Sequence, residues 1–543
     1  MNTGSTKSRA RQANEPAAVQ PEQADESSIS PRIWWAAALL VMAAAAFVRL
    51  YALGLKPMHH DEGVNGFFLT TLYREGVYHY DPANYHGPTL YYFALAVTKL
   101  KAFLFGEPGL GTVAVRAVPA AFGVATVWLA LRLRRHIGAL GALTAAALIA
   151  LSPGDVYVSR YFIHETLFVF FTLGIVVASL RYWETADPVY LLVAAISAAL
   201  LTATKETALI SLIVLGLAWA VSWVYMRVMG GVLWESQGRQ GKGKARRKVR
   251  GAALERLGGL RNVAAMAGLA LVLFLFVNVL FYSSFFTNWK GVNGAIESLQ
   301  IWAKTGTKEH GHPWYTYLDW LWQEEAPLLI LGTAGAVLAL IFRRRFALFA
   351  GAWAFGILAA YSLIPYKTPW LMINFTVPLA VVGGYAVQAI YDLSMEWTAR
   401  VAAAAVALAA LTICGVQLVR LNFQHYDDDK YPYVYAHTYR EFLPLVSEID
   451  ELAQRAGSGR ETGITVTAPE YWPLPWYLRD YDRVGFFGRM TETQEPLVLG
   501  SEDQEAELAE ALGDRYARAG SYPLRPGVTL VLFARRDLLE GGR

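Results

Sequence analysis

The sequence predicts a polytopic α-helical membrane protein that carries a smaller α/β domain at its carboxyl end. Charged residues make up 17% and hydrophobic residues 55% of the 543 positions, whereas soluble domains carry about 25% charged residues. The apolar residues also form long uncharged runs. This composition excludes a disordered chain, a collagen-like chain and a disulfide scaffold as the main character of the protein. The single cysteine, Cys414, rules out an intrachain disulfide and a cysteine-based metal site.

Eleven uncharged runs are candidate membrane spans, because a helix that crosses a bilayer core needs about 20 mostly apolar residues. A twelfth stretch, Thr89–Phe105, is interrupted by Lys99 and Lys101, which favours an amphipathic helix lying in the membrane interface. The eleven candidate spans are Ile33–Val48, Ala117–Leu131, Ile137–Gly154, Thr166–Leu180, Pro188–Thr204, Thr207–Met226, Asn262–Trp289, Ala326–Phe342, Phe346–Tyr366, Thr368–Tyr391 and Val401–Val419.

The distribution of Lys and Arg predicts the orientation of these spans, since cytoplasmic loops carry the positive charge. With the amino terminus in the cytoplasm, every cytoplasmic turn is basic, and residues 227–261 hold 10 basic and 2 acidic residues. We therefore predict a protein of the cell membrane with a disordered cytoplasmic tail (1–32), a transmembrane domain (33–421) and an extracytoplasmic α/β domain (422–543). Within the transmembrane domain, residues 56–116 and 290–325 form outer loops and residues 227–261 form a basic cytoplasmic loop.

The carboxyl-terminal region differs from the rest in charge and in pattern. Residues 422–543 contain 13 basic and 21 acidic residues, a net charge of −8. Strand-like runs cover Gly463–Ala468 and Val528–Ala534, and helix-like runs cover Glu441–Ala456 and Glu502–Leu512. Such a mixture is typical of a small α/β domain.

Polar residues from distant parts of the chain fall on one predicted face of the membrane, the outer face. Ionisable residues near spans are costly and usually functional. An acidic pair beside histidines can supply a general base, and nearby cations can stabilise a departing phosphate. These residues are His59, His60, Asp61, Glu62, His86, Arg160, Glu165, Lys205, Glu206, His310, His312, Tyr366 and Lys367.

Several motifs in this set resemble the protein O-mannosyltransferase branch of the C-type (GT-C) integral-membrane glycosyltransferases. The archaeal and bacterial flippase-activity-associated subgroup is the most similar, and the resemblance covers roughly residues 33–480. The motifs are His59-His60-Asp61-Glu62-Gly63, His86-Gly87-Pro88-Thr89-Leu90-Tyr91-Tyr92, Ser159-Arg160-Tyr161 with Glu165, Thr204-Lys205-Glu206, His310-Gly311-His312-Pro313-Trp314-Tyr315, Pro365-Tyr366-Lys367-Thr368-Pro369-Trp370 and Tyr471-Trp472-Pro473-Leu474-Pro475-Trp476-Tyr477-Leu478-Arg479.

The resemblance implies transfer of a mannose-like hexose from a polyprenyl-phosphate carrier to an acceptor hydroxyl on the outer face, with inversion at the anomeric carbon. It implies that Asp61 is the catalytic base, that Glu62 is its partner, and that Arg160, Lys205 and Lys367 contact the donor phosphate. The expected partners are the lipid-linked sugar and membrane lipids, and nucleic acid is not expected. The chain lacks the β-trefoil-type repeats of the eukaryotic enzymes, so the acceptor, whether protein, glycan or lipid, stays open. A metal site is not assigned.

Each candidate residue also has a structural interpretation. Asp61 and Glu62 could cap a helix, Arg160 could pair with Glu165, and Lys205 and Lys367 could be snorkelling side chains at span ends. His310 and His312 could bind a divalent metal together with His59 or His60. The rival function is a non-catalytic transporter or flippase-associated protein, whose charges would continue towards the cytoplasmic side.

Overall fold

The protein is a bundle of helices that carries a five-stranded sheet domain at its carboxyl end. The computed structural model describes residues 29–83, 86–106, 109–229, 255, 257–305, 311–393 and 397–540. Its helices before the sheet domain are α1 Pro31–Leu50, α2 His60–Glu75, α3 Thr89–Phe105, α4 Thr112–Leu131, α5 Arg134–Ile137, α6 Ala139–Leu151, α7 Pro153–Ser159, α8 Glu165–Thr185, α9 Pro188–Thr202, α10 Ala208–Val228, α11 Gly259–Tyr282, α12 Lys290–Thr305, α13 Thr316–Glu324, α14 Ala326–Phe342, α15 Arg345–Leu363, α16 Ile373–Tyr391 and α17 Trp397–Val419.

The predicted fold class is confirmed, because each of the eleven predicted spans coincides with a helix. Within the described ranges, eight helices are long and apolar enough to cross a membrane, and two bent pairs raise the number to ten. The remaining predicted span is the shorter apolar helix α9. The predicted interfacial stretch is the helix α3, which has the bounds given by the sequence. The predicted disordered tail and most of the basic loop (1–28 and 230–254) lie outside the described residues.

Two spans are bent where a helix restarts. The bend between α6 and α7 is 57°, and that between α13 and α14 is 111°. Proline lies in the first turn of each restarted helix, where its missing N–H is tolerated. Glu325 joins the two bends, since its Oε1 accepts hydrogen bonds from the Ser152 hydroxyl at 2.7 Å and the Gly154 N–H at 2.8 Å.

Helix α16 lies at the centre of the bundle and is buried along almost its whole length. Glycines let its neighbours approach closely. A Cβ on Gly335 of α14 would lie 2.0 Å from the Val382 carbonyl oxygen, and a Cβ on Gly384 would lie 2.3 Å from that of Gly141 on α6. Small residues at such contacts are the usual means by which membrane helices pack their backbones together.

The carboxyl-terminal sheet has the strand order β2-β1-β3-β5-β4. Its strands are β1 Ile464–Val466, β2 Val484–Phe486, β3 Leu497–Ser501, β4 Tyr516–Arg525 and β5 Val528–Arg535, and its helices are α18 Leu443–Arg455, α19 Leu474–Tyr477, α20 Glu505–Leu512 and α21 Arg536–Glu540. Strand β1 is parallel to β2 and β3, whereas β5 is antiparallel to β3 and β4. The strand-like and helix-like runs of the sequence therefore correspond to β1, β5, α18 and α20.

The sheet domain packs directly on helix α2. A Cβ on Gly63 would lie 2.6 Å from the Pro473 Cβ, and a Cβ on Gly66 would lie 2.5 Å from the Trp476 ring. The Tyr477 hydroxyl accepts a hydrogen bond from the Met58 N–H at 2.9 Å. The aromatic motif of residues 471–479 is thus the surface that holds α2 in place.

Candidate functional site

The amino end of helix α2 carries the acidic pair. His59 is the N-cap, and its Nδ1 accepts a hydrogen bond from the Asp61 N–H at 3.1 Å. The Glu62 carboxylate accepts from the His59 N–H at 2.9 Å, which completes a capping box. The two carboxylates then diverge, because the Asp61 side chain is 41% exposed and that of Glu62 is fully buried. The structural interpretation as a helix cap therefore applies to Glu62.

The buried Glu62 forms a two-pronged ion pair with Arg116 of α4. The Arg116 Nε and Nη2 donate to the two carboxylate oxygens at 2.7 and 2.6 Å. The Phe162 N–H donates to Glu62 Oε1 at 2.7 Å. Burial raises the pKa of Glu62, but the Arg116 guanidinium and the N–H groups of His59 and Phe162 together lower it more, so the net shift is downward and the group is ionised. Glu62 thereby joins α2, α4 and the loop of residues 160–164.

The sequence reasoning missed Arg116. This residue lies immediately before the predicted span Ala117–Leu131, at the last position of the predicted outer loop 56–116. The signal was a lone arginine at the end of an apolar run, where an ionisable side chain needs a partner. In the structure Arg116 also donates to the carbonyls of Leu53, Lys56 and Pro57 at 3.1, 2.9 and 2.9 Å.

Two loops meet opposite Asp61 through backbone pairing. His86 and Lys205 form an antiparallel bridge, and the Gly87 N–H donates to the Thr204 carbonyl at 3.0 Å. A Cβ on Gly87 would lie 2.1 Å from the Ala203 carbonyl oxygen, so only glycine fits this contact. The motifs at residues 86–92 and 204–206 are therefore two sides of one structure.

The ionisable groups of these loops lie close together, and Glu165, Lys205 and Glu206 are buried. The Lys205 ammonium donates to Glu165 Oε1 at 2.7 Å, and the His86 Nδ1 lies 3.5 Å from Glu206 Oε1. Burial lowers the pKa of Lys205, but the Glu165 and Glu206 carboxylates raise it more, so the lysine stays protonated. Burial lowers the pKa of His164 well below its usual range, so this imidazole is neutral.

These groups line one cavity of about 270 Å³. Its wall combines the amino end of α2, the 86 region, the residues around the start of α8, the 203–207 loop and the segment after α15. The candidate residues in this wall are His60, Asp61, His86, Glu165, Lys205, Glu206 and Tyr366, and His164 and Thr207 lie beside them.

Arg160 and Lys367 lie outside this lining, and both donate to backbone carbonyls. The Arg160 guanidinium donates to the Tyr51 carbonyl at 2.6 Å and to that of Ala52 at 2.9 Å, just after the carboxyl end of α1. The Lys367 ammonium donates to the Ile364 carbonyl at 2.6 Å and to that of His312 at 3.3 Å. Each cation therefore fixes the path of a loop beside the cavity.

His310 and His312, in the loop of residues 290–325 that the sequence places outside the membrane, differ in what the structure shows of them. The His312 ring contacts Trp320, with 5.5 Å between ring centroids. His310 lies outside the described residues. Across the part of the chain that the structure describes, no group of three or more His, Cys, Asp or Glu side chains is arranged to hold a metal ion.

Comparison with solved structures identifies the fold. ArnT from Cupriavidus metallidurans bound to undecaprenyl phosphate matches with a TM-score of 0.58 and 15% identity, over 92% of this chain and 98% of that chain. An oligosaccharyltransferase from Archaeoglobus fulgidus, tethered to an acceptor peptide, matches with a TM-score of 0.51 and 13% identity, over 90% of this chain and 74% of that chain. The chain has the GT-C fold. No protein-family model and no curated protein matches it.

Proposed function

We propose that this protein is a membrane glycosyltransferase that moves a mannose-like hexose from a polyprenyl-phosphate donor to an acceptor hydroxyl on the extracytoplasmic face. The observation that carries the proposal is that Asp61 and Lys205, 144 positions apart in the chain, line the same cavity. The GT-C fold supports this assignment, as does the ArnT structure that binds a polyprenyl phosphate. The motif resemblance to O-mannosyltransferases is the reason for choosing a mannose-like sugar.

In this reaction Asp61 acts as the general base. Its carboxylate is partly exposed at a helix amino terminus, where it is accessible to an acceptor. The acceptor oxygen attacks the anomeric carbon as its proton passes to Asp61. The bond from that carbon to the phosphate oxygen breaks, and polyprenyl phosphate leaves with the electron pair. Attack opposite to the leaving group inverts the anomeric configuration.

Lys205 is the cation that faces the leaving phosphate. An ammonium group has three donors, and one of them is used by Glu165, which leaves others for phosphate oxygens. Among the described residues, the cavity lining carries the carboxylates of Asp61, Glu165 and Glu206 against a single ammonium, that of Lys205. This excess of negative charge weakens the binding of a free anion, so donor affinity should increase when a proton or a divalent cation neutralises a carboxylate.

Glu62, Arg160 and Lys367 have positioning roles in this proposal. Glu62 holds the first turn of α2 and thereby the direction of Asp61. Arg160 and Lys367 fix loops through their carbonyl contacts, so their removal should affect folding of the outer surface more than contact with the donor.

The proposal is tested with the full-length protein in lipid nanodiscs and a radiolabelled polyprenyl-phosphate mannose, with and without EDTA. Release of label from the lipid, to water or to an added acceptor, reports the chemical step. Asp61→Asn should reduce this rate at least about 100-fold, whereas Asp429→Asn, at an exposed carboxylate of the carboxyl-terminal region, should leave it unchanged. Movement of intact donor between leaflets without bond cleavage would instead support the transporter function.

A further inference from the structure

A second opening lies beside the cavity, between helix α2 and the sheet domain. This cleft has a volume of about 570 Å³, roughly twice that of the cavity beside Asp61. Its walls come from the middle and carboxyl end of α2 on one side and from residues 471–486 on the other. The roles proposed above make no use of it.

One face of α2 connects the two openings. His60 and Val64 line the cavity, and Phe67, Thr71 and Arg74 line the cleft. These positions are separated by four, three, four and three residues, which places them on a single stripe of an α-helix. A chain lying along this stripe would extend about 20 Å, at 1.5 Å per residue, from Arg74 to the start of the helix beside Asp61.

Aromatic rings form a continuous surface in the cleft. The ring centroids of Phe67 and Trp472 are 6.2 Å apart, those of Trp472 and Tyr471 are 5.6 Å apart, and those of Tyr471 and Phe486 are 5.2 Å apart. Phe67 is 50% exposed, so its ring is accessible to a ligand in the cleft. Trp472 also contacts His60, with 6.2 Å between centroids, so this surface reaches the rim of the cavity.

Charged groups at the rim complete the cleft. Arg74, Glu75 and Asp482 line it beside the rings. Aromatic faces match the C–H faces of pyranose rings, and the charged groups can hydrogen-bond their hydroxyls.

The strand at the cleft favours a carbohydrate over an extended peptide. Val484 and Phe486 lie two residues apart on β2 and both line the cleft, so the cleft meets the face of the sheet. A peptide that adds to a sheet needs the backbone groups of an open edge. β2 is an edge strand of the sheet, but it lines the cleft through side chains on its face, and side chains are what a sugar surface contacts.

We propose that this cleft binds the carbohydrate part of the acceptor and directs its terminal hydroxyl along α2 to Asp61. The inference rests on the proposed function for the direction of transfer. The binding of a sugar chain in the cleft stands separately and is measured without donor.

The experiment is saturation-transfer NMR with the full-length protein in nanodiscs and three neutral probes, α-1,6-mannohexaose, cellohexaose and chitohexaose, up to the low millimolar range. At least one probe should bind saturably. Phe486→Ala and Arg74→Gln should each weaken that binding about tenfold. The matched control is Phe487→Ala, which removes a neighbouring ring that is 48% exposed and lies outside the cleft lining; it should bind as the unmodified protein does.

Two results would overturn the proposal. One is that none of the three oligosaccharides binds, or that a tetra-alanine peptide binds in their place. The other is that Phe486→Ala and Arg74→Gln, both retaining the size-exclusion profile of the unmodified protein, bind the oligosaccharide normally. If the protein transfers label but fails these binding tests, sugar binding in the cleft is refuted and the proposed function stands. If the protein binds an oligosaccharide but has no transferase activity, the proposed function is refuted and sugar binding in the cleft stands.

Discussion

The ion pair between Glu62 and Arg116 gives the sharpest prediction about how the site is built. Glu62 accepts four hydrogen bonds, all from N–H groups: two from Arg116 and one each from His59 and Phe162. In Glu62→Gln the new amide NH₂, itself a donor, would face some of these N–H donors and could not accept from them. The buried Arg116 guanidinium would also lose its counter-charge. Removing one partner of a buried ion pair costs about 3–5 kcal/mol.

This cost should appear mainly as lost stability. One kcal/mol shifts the melting temperature by about 2–4 °C in a cooperative unit of about 200 residues, so Glu62→Gln should lower it by at least ~6 °C. Intrinsic tryptophan fluorescence in nanodiscs measures this shift. Arg116→Met should have a similar effect, and the double variant should cost less than the sum of the two single variants. The control Glu75→Gln changes an exposed carboxylate at the other end of α2 and should leave the melting temperature unchanged.

The reasoning would be refuted if Glu62→Gln melted within about 2 °C of the unmodified protein while the rate of label release fell about 100-fold. That pattern would place Glu62 in the chemistry beside Asp61. A melting temperature that falls together with activity in both Glu62→Gln and Arg116→Met supports the positioning role.

Three further predictions follow from the same geometry. Lys205→Gln should raise the donor concentration for half-maximal label release about tenfold or more, since it removes the ammonium that the described residues place in the cavity lining; an unchanged donor titration would exclude phosphate contact. Gly87→Ala should reduce the yield of folded protein, because its Cβ would lie 2.1 Å from a carbonyl oxygen, whereas Gly216→Ala meets open space and should be tolerated; equal yields would contradict the close contact. Burial lowers the pKa of His60, and its Nδ1 lies 3.1 Å from an arginine guanidinium, so the folded protein holds the neutral form. The unfolded chain takes up a proton below pH ~6.5, so stability should fall as pH decreases below that value, and His60→Gln should flatten the decrease in melting temperature between pH 7 and 5.

The sequence predicted the spans because their signal is local. Hydrophobic runs of the required length mark the helices without knowledge of their neighbours. The bend at Pro153 falls inside one predicted span, Ile137–Gly154, although the second helix of the bent pair continues to Ser159. The strands β1 and β5 were likewise apparent, since each is a short apolar run bounded by polar residues. What hydropathy does not show is the packing of α2 under the sheet domain, which depends on Gly63 and Gly66 meeting residues more than 400 positions away.

The roles of individual charges were harder to predict for the same reason. A sequence shows that Arg160 and Lys205 lie at the same end of the bundle, but not what each one faces. In the structure Arg160 meets the free carbonyls at the end of α1, while Lys205 meets carboxylates in the cavity. Glu62 and Asp61 are adjacent in sequence, yet successive helical positions point about 100° apart. Glu62 therefore faces Arg116 in the interior, and Asp61 faces the cavity.

A structure of the protein with a bound polyprenyl phosphate tests the central claim most directly. The account predicts that the phosphate lies in the cavity within hydrogen-bonding distance of the Lys205 ammonium, with the Asp61 carboxylate across the space that the sugar would occupy. Phosphate density bound elsewhere, with Lys205 still paired only to Glu165, would contradict it.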